Sequence, residues 1–171
     1  VNKAVFNCLI LSCQFHFGGK KMKKIGLIAC SCHKLGKSAP EKKFKAEDIY
    51  TGNTFRISKR IGLNKFNCDD WHILSAKFNL LEKDDEISYY DVYLARQSAA
   101  YKKSWAQSVI SKLKKKYDLE HDVFYIFGGK DYYKDLLPYL HCFVFGYKNS
   151  NTIDLDNMTE FLFGNKVQGG K

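Results

Sequence analysis

The stretch Lys24-Ile25-Gly26-Leu27-Ile28-Ala29-Cys30 is a basic residue followed by a short, continuous apolar run. A run of this length without polar alternation is typical of a strand that is buried on both faces, as in parallel sheets. The stretches 70–76 and 122–127 have a similar length and character. We therefore predict three buried strands at the centre of one sheet.

Helical patterns separate these strands. The clearest runs from Ala95 to Tyr117, where large apolar residues recur every four positions and lysines cover much of the remaining surface. Shorter helices are predicted for Thr54 to Leu63, for Asp131 to Leu137, which Pro138 stops, and for Thr152 to Phe163. This strand–helix alternation predicts a single α/β domain with a mainly parallel sheet and flanking helices.

Four segments between these elements have less regular patterns. The lysine-rich stretch 31–45 is predicted to be a polar loop, and 77–81 a tight turn or a single helical turn. Residues 84–94 mix acids with tyrosines and are expected to be extended near the site. The apolar stretch 143–145 is either an edge strand or a loop packed on the core.

The composition limits the class of protein. The 171 residues fit one domain, and 45% of them are hydrophobic, which is enough for a sizeable core. No apolar run approaches the roughly 20 residues that cross a bilayer, so no membrane association is expected. The formal net charge of +10 suits an acidic partner such as a nucleic acid, although a lysine-rich proteome produces the same excess.

The six cysteines favour a reducing compartment. Cys30 and Cys32 are one residue apart, which is not the Cys-x-x-Cys spacing of redox or zinc sites. We therefore expect a reduced, cytoplasmic protein without a disulfide framework. A zinc site of Cys30, Cys32, His33 and a distant fourth ligand is the weaker alternative. Semi-buried thiols at a strand end are the stronger reading, so no metal is predicted.

Residues 1–21 differ from the rest of the chain. Polar residues interrupt their apolar stretch and no small-x-small cleavage site ends it, so they make a poor signal peptide. The stretch Gly18-Gly19-Lys20-Lys21-Met22 can be encoded by a purine-rich run directly before an ATG codon, as in a bacterial ribosome-binding site. We expect the functional protein to begin at Met22, with 1–21 a translated upstream segment and 22–171 the single α/β domain.

Polar residues follow the carboxyl ends of the three predicted strands, where open α/β sheets bind their ligands. Glycines at such junctions let backbone N–H groups approach an anion, and converging lysines would hold a phosphate or a nucleotide. Solvated loop lysines are the ordinary alternative. The junctions, each with small residues and a lysine, are Cys30-Ser31-Cys32-His33-Lys34, Ser75-Ala76-Lys77 and Gly128-Gly129-Lys130.

A series of motifs extends from Lys24 to about His141. In chain order they are Cys30-x-x-x-Lys34, Ala46-x-Asp48-Ile49-Tyr50-Thr51-Gly52-x-x-Phe55, Trp71-x-Ile73-Leu74-Ser75-Ala76-Lys77-x-Asn79-Leu80-Leu81, Tyr90-Asp91-x-x-Leu94 and Gly129-Lys130-x-Tyr132-Tyr133-x-x-Leu136. Their order and spacing, above all the Tyr-Thr-Gly and Leu-Ser-Ala-Lys blocks, resemble a family of small bacterial and phage proteins of unknown function, DUF6884.

More distant resemblances point towards nucleic acids. The pattern from Leu74 to Tyr90 is similar to the peroxide-stress protein YaaA family, whose members are associated with DNA binding under oxidative stress. The Cys-Ser and Leu-Ser pairs are similar to domains linked to archaeosine synthesis, whose core looks like a uracil-DNA-glycosylase fold. Relative to the nearer family, Cys32 and His33 replace lysines, and Asn79 replaces a glycine. Since asparagine tolerates positive φ, the turn there is expected to survive.

Several polar side chains within the motifs can interact with a ligand in such a crevice. Ser75 and Thr51 can hydrogen-bond a phosphate or a sugar hydroxyl, and Tyr50 and Tyr90 can stack on a base or serve as half-buried packing residues. Asp91 can activate a water or hold a ribose hydroxyl, with a turn or capping role as the alternative. We predict Asp91 and Ser75 as catalytic residues. The predicted ligand-binding residues are Cys30, Lys34, Tyr50, Thr51, Lys77, Tyr90, Gly128, Gly129 and Lys130.

These observations leave three functions open. The favoured one is binding of a nucleotide or nucleic acid at the carboxyl ends of the strands, with a reaction at an N-glycosidic bond as its catalytic form. The second is a non-catalytic DNA- or RNA-binding protein that uses lysine-rich faces. The third is a small interaction or structural protein with a vestigial site. The sequence points to no particular cofactor and to no oligomeric state.

Overall fold

The computed structural model describes residues 21–145, 147–149, 152–153 and 160–162. Residues 1–20 lie outside this part, so the expectation that the functional chain begins at Met22 stays a prediction. The strands of the described part are β1 (Lys24–Ala29), β2 (Lys43–Lys45), β3 (Asp70–Ser75), β4 (Asn79–Leu81), β5 (Glu86–Ser88), β6 (Val123–Phe127), β7 (Cys142–Phe145), β8 (Tyr147–Asn149), β9 (Thr152–Ile153) and β10 (Glu160–Leu162).

Six of these strands form one mixed sheet in the order β10-β7-β6-β1-β3-β4. The inner pairings, β7 with β6, β6 with β1 and β1 with β3, are parallel. The outer strands β4 and β10 pair in the antiparallel sense. The prediction of a mainly parallel sheet is therefore confirmed for its inner strands. The remaining strands form two small sheets, β2 with β5 and β8 with β9.

Helical segments occupy the connections between the strands of the main sheet. They are α1 (Ala46–Ile49), α2 (Asn53–Ile57), a π-helical turn (Ser58–Gly62), α3 (Leu63–Phe66), a 3-10 turn (Leu94–Arg96), α4 (Ala99–Lys114), α5 (Lys130–Tyr133) and a second 3-10 turn (Leu137–Tyr139). Within the described residues, none of them combines the length and apolar character needed to cross a bilayer.

The sheet is buried on both faces, which explains why its inner strands are continuously apolar. On one face, side chains such as Leu27 and Ile126 pack against α4 through Val109. On the other face, Ile28 and Phe127 belong to the cluster that also contains apolar residues of α2 and α3. Because successive strand residues point to opposite faces, both faces of each inner strand must be apolar.

The order of connections places a crevice beside β1. From β1 the chain continues through α2 and α3 to β3 on one side, and then returns through α4 to β6 on the other side of β1. Connections that leave in opposite directions separate the loops that follow β1 and β6. Such a reversal of strand order opens a ligand crevice at the carboxyl ends of the strands.

The long helix is shorter than predicted. It was expected to extend from Ala95 to Tyr117, but α4 begins after Ser98, whose Oγ accepts a hydrogen bond from the backbone N–H of Tyr101 at 3.2 Å. This side-chain cap ends the extended segment before the helix. Leu94–Arg96 forms a separate 3-10 turn. Similarly, α5 ends at Tyr133, before the predicted boundary at Leu137.

Of the two alternatives predicted for 77–81, the tight turn is confirmed at the start of the segment and the helical turn is wrong. The segment turns back after β3 and forms β4, which pairs with β3 in the antiparallel sense. Asn79 has a φ of 67°, so the expectation that asparagine supports positive φ here is confirmed. Leu80 and Leu81 are buried, and their burial favours a strand on the sheet over an isolated turn.

The C-terminal predictions need two corrections. Residues 143–145 belong to β7, which lies between β6 and β10 and is not an edge strand. The helix predicted from Thr152 to Phe163 is wrong where the chain is described, because Thr152–Ile153 and Glu160–Leu162 are strands. β-Branched and aromatic residues favour strands, and sheet partners were available in β8 and β7.

Candidate functional site

A cleft of about 570 Å³ opens at the carboxyl ends of β1 and β6. Its walls come from segments that are far apart in the sequence. They are residues 29–33 at the end of β1 and after it, residues 51–54 before and at the start of α2, and residues 129 and 131–132 after β6, together with Ala95. Of the predicted site residues, Cys30, Thr51 and Gly129 line this cleft. Its position agrees with the crevice expected from the strand order.

Hydrogen bonds hold the two loops that form one wall. The Oγ of Ser31 accepts a hydrogen bond from the backbone N–H of His33 at 3.0 Å, and the carbonyl of His33 accepts one from the N–H of Thr51 at 3.0 Å. Gly52 lies directly against Ser31, so that any β-carbon at position 52 would collide with the serine hydroxyl. The Tyr-Thr-Gly motif thus owes its glycine to close packing at the cleft.

Two thiols in the lining of the cleft differ in exposure and in hydrogen-bond partner. The Sγ of Cys30 is 3.1 Å from the hydroxyl of Tyr132, and Cys30 is only partly exposed. The Sγ of Cys32 is exposed and lies 3.3 Å from Nδ1 of His33. No group of three or more His, Cys, Asp or Glu side chains in the described part of the chain is arranged to hold a metal ion. The zinc alternative is therefore not supported by the described residues.

Tyr50, Tyr90 and Ser75 form a buried hydrogen-bonded chain. The two tyrosine hydroxyls are 2.8 Å apart, and the hydroxyl of Tyr90 is 2.9 Å from Oγ of Ser75. Burial raises the pKa of both tyrosines. The same serine Oγ accepts hydrogen bonds from the backbone N–H groups of Lys77 and Phe78 at 3.3 and 3.1 Å. This series of hydrogen bonds therefore fixes the turn after β3.

This burial changes the roles that these three residues can fill. Tyr50 and Tyr90 are 2% and 4% exposed, and Ser75 is 0% exposed. Neither tyrosine presents a free ring face for a base, and neither they nor Ser75 line the cleft. Base stacking and catalysis by Ser75 do not fit this arrangement. The three residues instead support the loops that carry the exposed groups.

Two lysine side chains lie over the ring of Tyr90. The Nζ of Lys34 is 4.4 Å and the Nζ of Lys77 is 5.9 Å from the ring centroid. Burial lowers the pKa of Lys34, while the charges of Cys30, Cys32 and Asp91 oppose this effect. None of the ion pairs between described residues includes either lysine. Two of the three predicted lysines therefore lie near the same tyrosine ring.

None of the predicted charged residues belongs to the lining of the cleft, Lys34 and Lys77 included. Lys130 is exposed at the start of α5, and Asp91 is exposed beside Lys34. A hydrogen bond with Asp91 raises the pKa of Tyr93. Neither Lys130 nor Asp91 lines the cleft, whereas Asp131 does.

Asp131 is the site residue that sequence reasoning missed. Its Oδ1 accepts a hydrogen bond from Nζ of Lys102 at 2.6 Å, and the same Nζ lies 3.2 Å from the carbonyl oxygen of Ala95. The sequence signal for this residue was its position directly after the Gly128-Gly129-Lys130 junction. An acid at that position looks like an ordinary first-turn helix residue until Lys102 of α4 is seen beside it.

The adjacent glycines of this junction have different environments. A β-carbon on Gly128 would lie 2.7 Å from Cβ of Ala29, whereas one on Gly129 would have no atom within 4 Å. Gly128 therefore permits close packing of β6 against β1. Gly129 borders the cleft without being required for packing.

We expect Gly128→Ala to lower the free energy of unfolding by about 1–3 kcal/mol, because the added methyl group overpacks the buried contact with Ala29. Gly129→Ala is the matched control and should change it by less than about 0.5 kcal/mol. Urea unfolding of both variants would measure the difference. Equal stabilities would contradict the packing role of Gly128.

Comparison with known families identifies one match. The family described as "Family of unknown function (DUF6884)" matches residues 25–149. The chain therefore belongs to this family. The match covers the inner strands of the sheet and the three segments that form the cleft. No curated protein and no solved structure matches significantly.

Proposed function

We propose that this member of the DUF6884 family binds a nucleotide, with the phosphate at Lys34 and Lys77 and the sugar and base in the cleft. The observation that carries the proposal is the position of these two ammonium groups near the ring of Tyr90, where neither forms an ion pair with a described carboxylate. Asp91 acts on Lys34 through its charge without forming such a pair. Lys34 follows His33 of the cleft wall directly, so the phosphate site and the cleft are neighbours.

Electrostatics favour an anion at this position. The two Nζ atoms lie 4.4 and 5.9 Å from one ring centroid, and the partial burial of Lys34 makes its charge costly, which the neighbouring Cys30, Cys32 and Asp91 offset only in part. A phosphate group offers several acceptor oxygens and two negative charges, and lysine is a common phosphate ligand. The cleft volume of about 570 Å³ is within the range of small-molecule sites.

The double variant Lys34→Ala/Lys77→Ala should bind nucleoside monophosphates at least about tenfold more weakly than the wild type, since each charged hydrogen bond contributes about 1.5–3 kcal/mol. Calorimetric titration with AMP, GMP, CMP and UMP is the measurement. The exposed lysines Lys37 and Lys43 provide the control, because Lys37→Ala/Lys43→Ala removes the same charge from the neighbouring loop. Equal weakening by both double variants, or no binding to the wild type, would contradict the proposal.

Hydrolysis of an N-glycosidic bond is the catalytic form of this proposal: the bond between C1′ and the base breaks, the oxygen of a water bonds to C1′, and the base leaves with a proton from that water. It requires a carboxylate against the sugar, where positive charge develops. Among the described residues that line the cleft, Asp131 supplies the carboxylate, whereas Asp91 lies outside the lining. Release of free base from a nucleotide, compared between Asp131→Asn and Asp91→Asn, measures this activity. Loss of activity in the Asp91 variant alone would assign the catalytic role to Asp91 and contradict a catalytic role of Asp131.

Non-catalytic nucleic-acid binding is the second candidate, as the YaaA-like resemblance suggests. The observation that favours it is the continuation of lysines from Lys34 along the same loop, where Lys37, Lys42 and Lys43 are exposed. A polymer would contact these lysines as well as the phosphate site. Its affinity would fall steeply with salt, and the Lys37→Ala/Lys43→Ala variant would weaken an oligonucleotide but not a mononucleotide.

A further inference from the structure

One carboxylate of the cleft is held in place by a lysine that comes from a different layer of the fold. Asp131 belongs to α5, at the carboxyl end of β6, and Lys102 belongs to α4. The 2.6 Å contact joins Nζ of Lys102 to Oδ1 of Asp131, and the lysine side chain is 20% exposed. The second contact of Nζ, at 3.2 Å, is with the carbonyl oxygen of Ala95, another residue of the cleft wall.

This arrangement leaves a charged acceptor towards the cleft. Among the described residues, the hydrogen bonds of the Asp131 carboxylate involve Oδ1, so Oδ2 remains for a ligand. A carboxylate accepts hydrogen bonds and donates none, so it selects ligand groups that donate. The lining of the cleft also includes Thr51, Thr54 and Asn53, whose hydroxyl and amide groups can both donate and accept hydrogen bonds.

We propose that Asp131 receives the 2′- and 3′-hydroxyl groups of a ribose, so that the cleft prefers ribonucleotides to 2′-deoxyribonucleotides. The inference rests on the proposed nucleotide binding and adds the class of sugar. An ion-paired carboxylate in the lining of the cleft suits a vicinal diol because the diol donates two hydrogen bonds to one acceptor group. Acidic residues hold ribose hydroxyls in this way at other crevices between parallel strands.

Sugar phosphates without a base test the inference directly. Ribose 5-phosphate should bind the wild type at least about tenfold more tightly than 2-deoxyribose 5-phosphate, since a hydrogen bond to a charged group is lost. The same ratio is expected between AMP and 2′-deoxy-AMP. In Asp131→Ala the two members of each pair should bind with equal affinity, close to that of the deoxy ligand for the wild type.

Two further variants distinguish the loss of the contact between Asp131 and the ribose hydroxyls from a general disturbance of the cleft. Asp135→Ala removes another acid two residues after α5 and should keep the preference. Lys102→Met breaks the ion pair but leaves the carboxylate, so a ribose preference should persist in it. A wild type that binds both sugars equally, or an Asp131→Ala variant that still prefers ribose, would overturn the inference. Failure of every phosphate ligand to bind would instead overturn the proposed function on which it rests.

Discussion

Replacing Trp105 with alanine is expected to lower the free energy of unfolding by about 3–5 kcal/mol, which is the usual range for a buried tryptophan. Trp105 is 3% exposed, and its indole N–H donates a hydrogen bond to the carbonyl of Ser75 at 2.7 Å. Its ring also meets the ring of Tyr132 edge-on, with 5.9 Å between centroids. The substitution therefore creates a cavity and leaves a buried carbonyl without its donor.

A graded series separates packing from hydrogen bonding. Trp105→Phe keeps most of the apolar volume and loses the N–H donor, so its expected cost is about 1–3 kcal/mol. Tyr101→Phe is the control on the same helix, because the Tyr101 hydroxyl also donates to a backbone carbonyl, that of Ala76, but its side chain is 37% exposed. It should cost less than about 1 kcal/mol. Urea unfolding followed by circular dichroism measures all three. A loss below 1 kcal/mol for Trp105→Ala would show that α4 does not depend on this anchor.

The central strands were predictable because burial on both faces leaves a direct mark on the sequence. Continuous apolar runs identified β1, β3 and β6, and the rule for parallel sheets then placed the cleft at their carboxyl ends. The short strands near the C-terminus have no comparable pattern in the sequence. From Thr152 to Phe163 the sequence predicted a helix, whereas Thr152–Ile153 and Glu160–Leu162 pair with the strands β8 and β7.

Individual site residues were harder to predict than the position of the site. Tyr50 and Tyr90 belong to matched motifs, but a motif does not distinguish a ring that stacks on a ligand from one that supports a loop. Burial decides this question, and it depends on the packing of Ser75 and Phe78 around Tyr90. The ion pair of Asp131 was hidden because its lysine lies 29 residues away on another helix.

A buried histidine gives the molecule a further testable property. His72 of β3 is 0% exposed, and its Nε2 is 2.6 Å from the hydroxyl of Tyr117, which itself donates a hydrogen bond to Oδ2 of Asp70 at 2.7 Å. Since that hydroxyl proton points to Asp70, Nε2 of the histidine must be the donor to Tyr117. Nδ1 lies 3.3 Å from Oε2 of Glu82 but makes no hydrogen bond.

Burial lowers the pKa of His72 below its ordinary value of 6.5, and Lys116 and Lys83 act in the same direction, whereas Glu82 and Asp70 oppose it. As the pH falls through 6.5, the unfolded chain therefore binds a proton before the folded chain does. The free energy of unfolding should be constant above this pH and decrease below it. Each unit of difference between the two pKa values weakens the fold by up to about 1.4 kcal/mol.

Urea unfolding at pH 8 and at pH 5 should show lower stability at pH 5 for the wild type and a smaller difference for His72→Gln. Glutamine removes the titrating group and keeps an N–H donor for Tyr117. His141 contributes in the same direction, because burial also lowers its pKa, so His141→Gln gives the matched comparison and the double variant should be flatter than either. The pKa values of Asp70 and Asp118 are lowered in the fold. Protonation of these two acids therefore weakens the fold only below the range from pH 8 to pH 5. An unchanged pH dependence in His72→Gln would mean that His72 takes up its proton equally in the folded and unfolded chain.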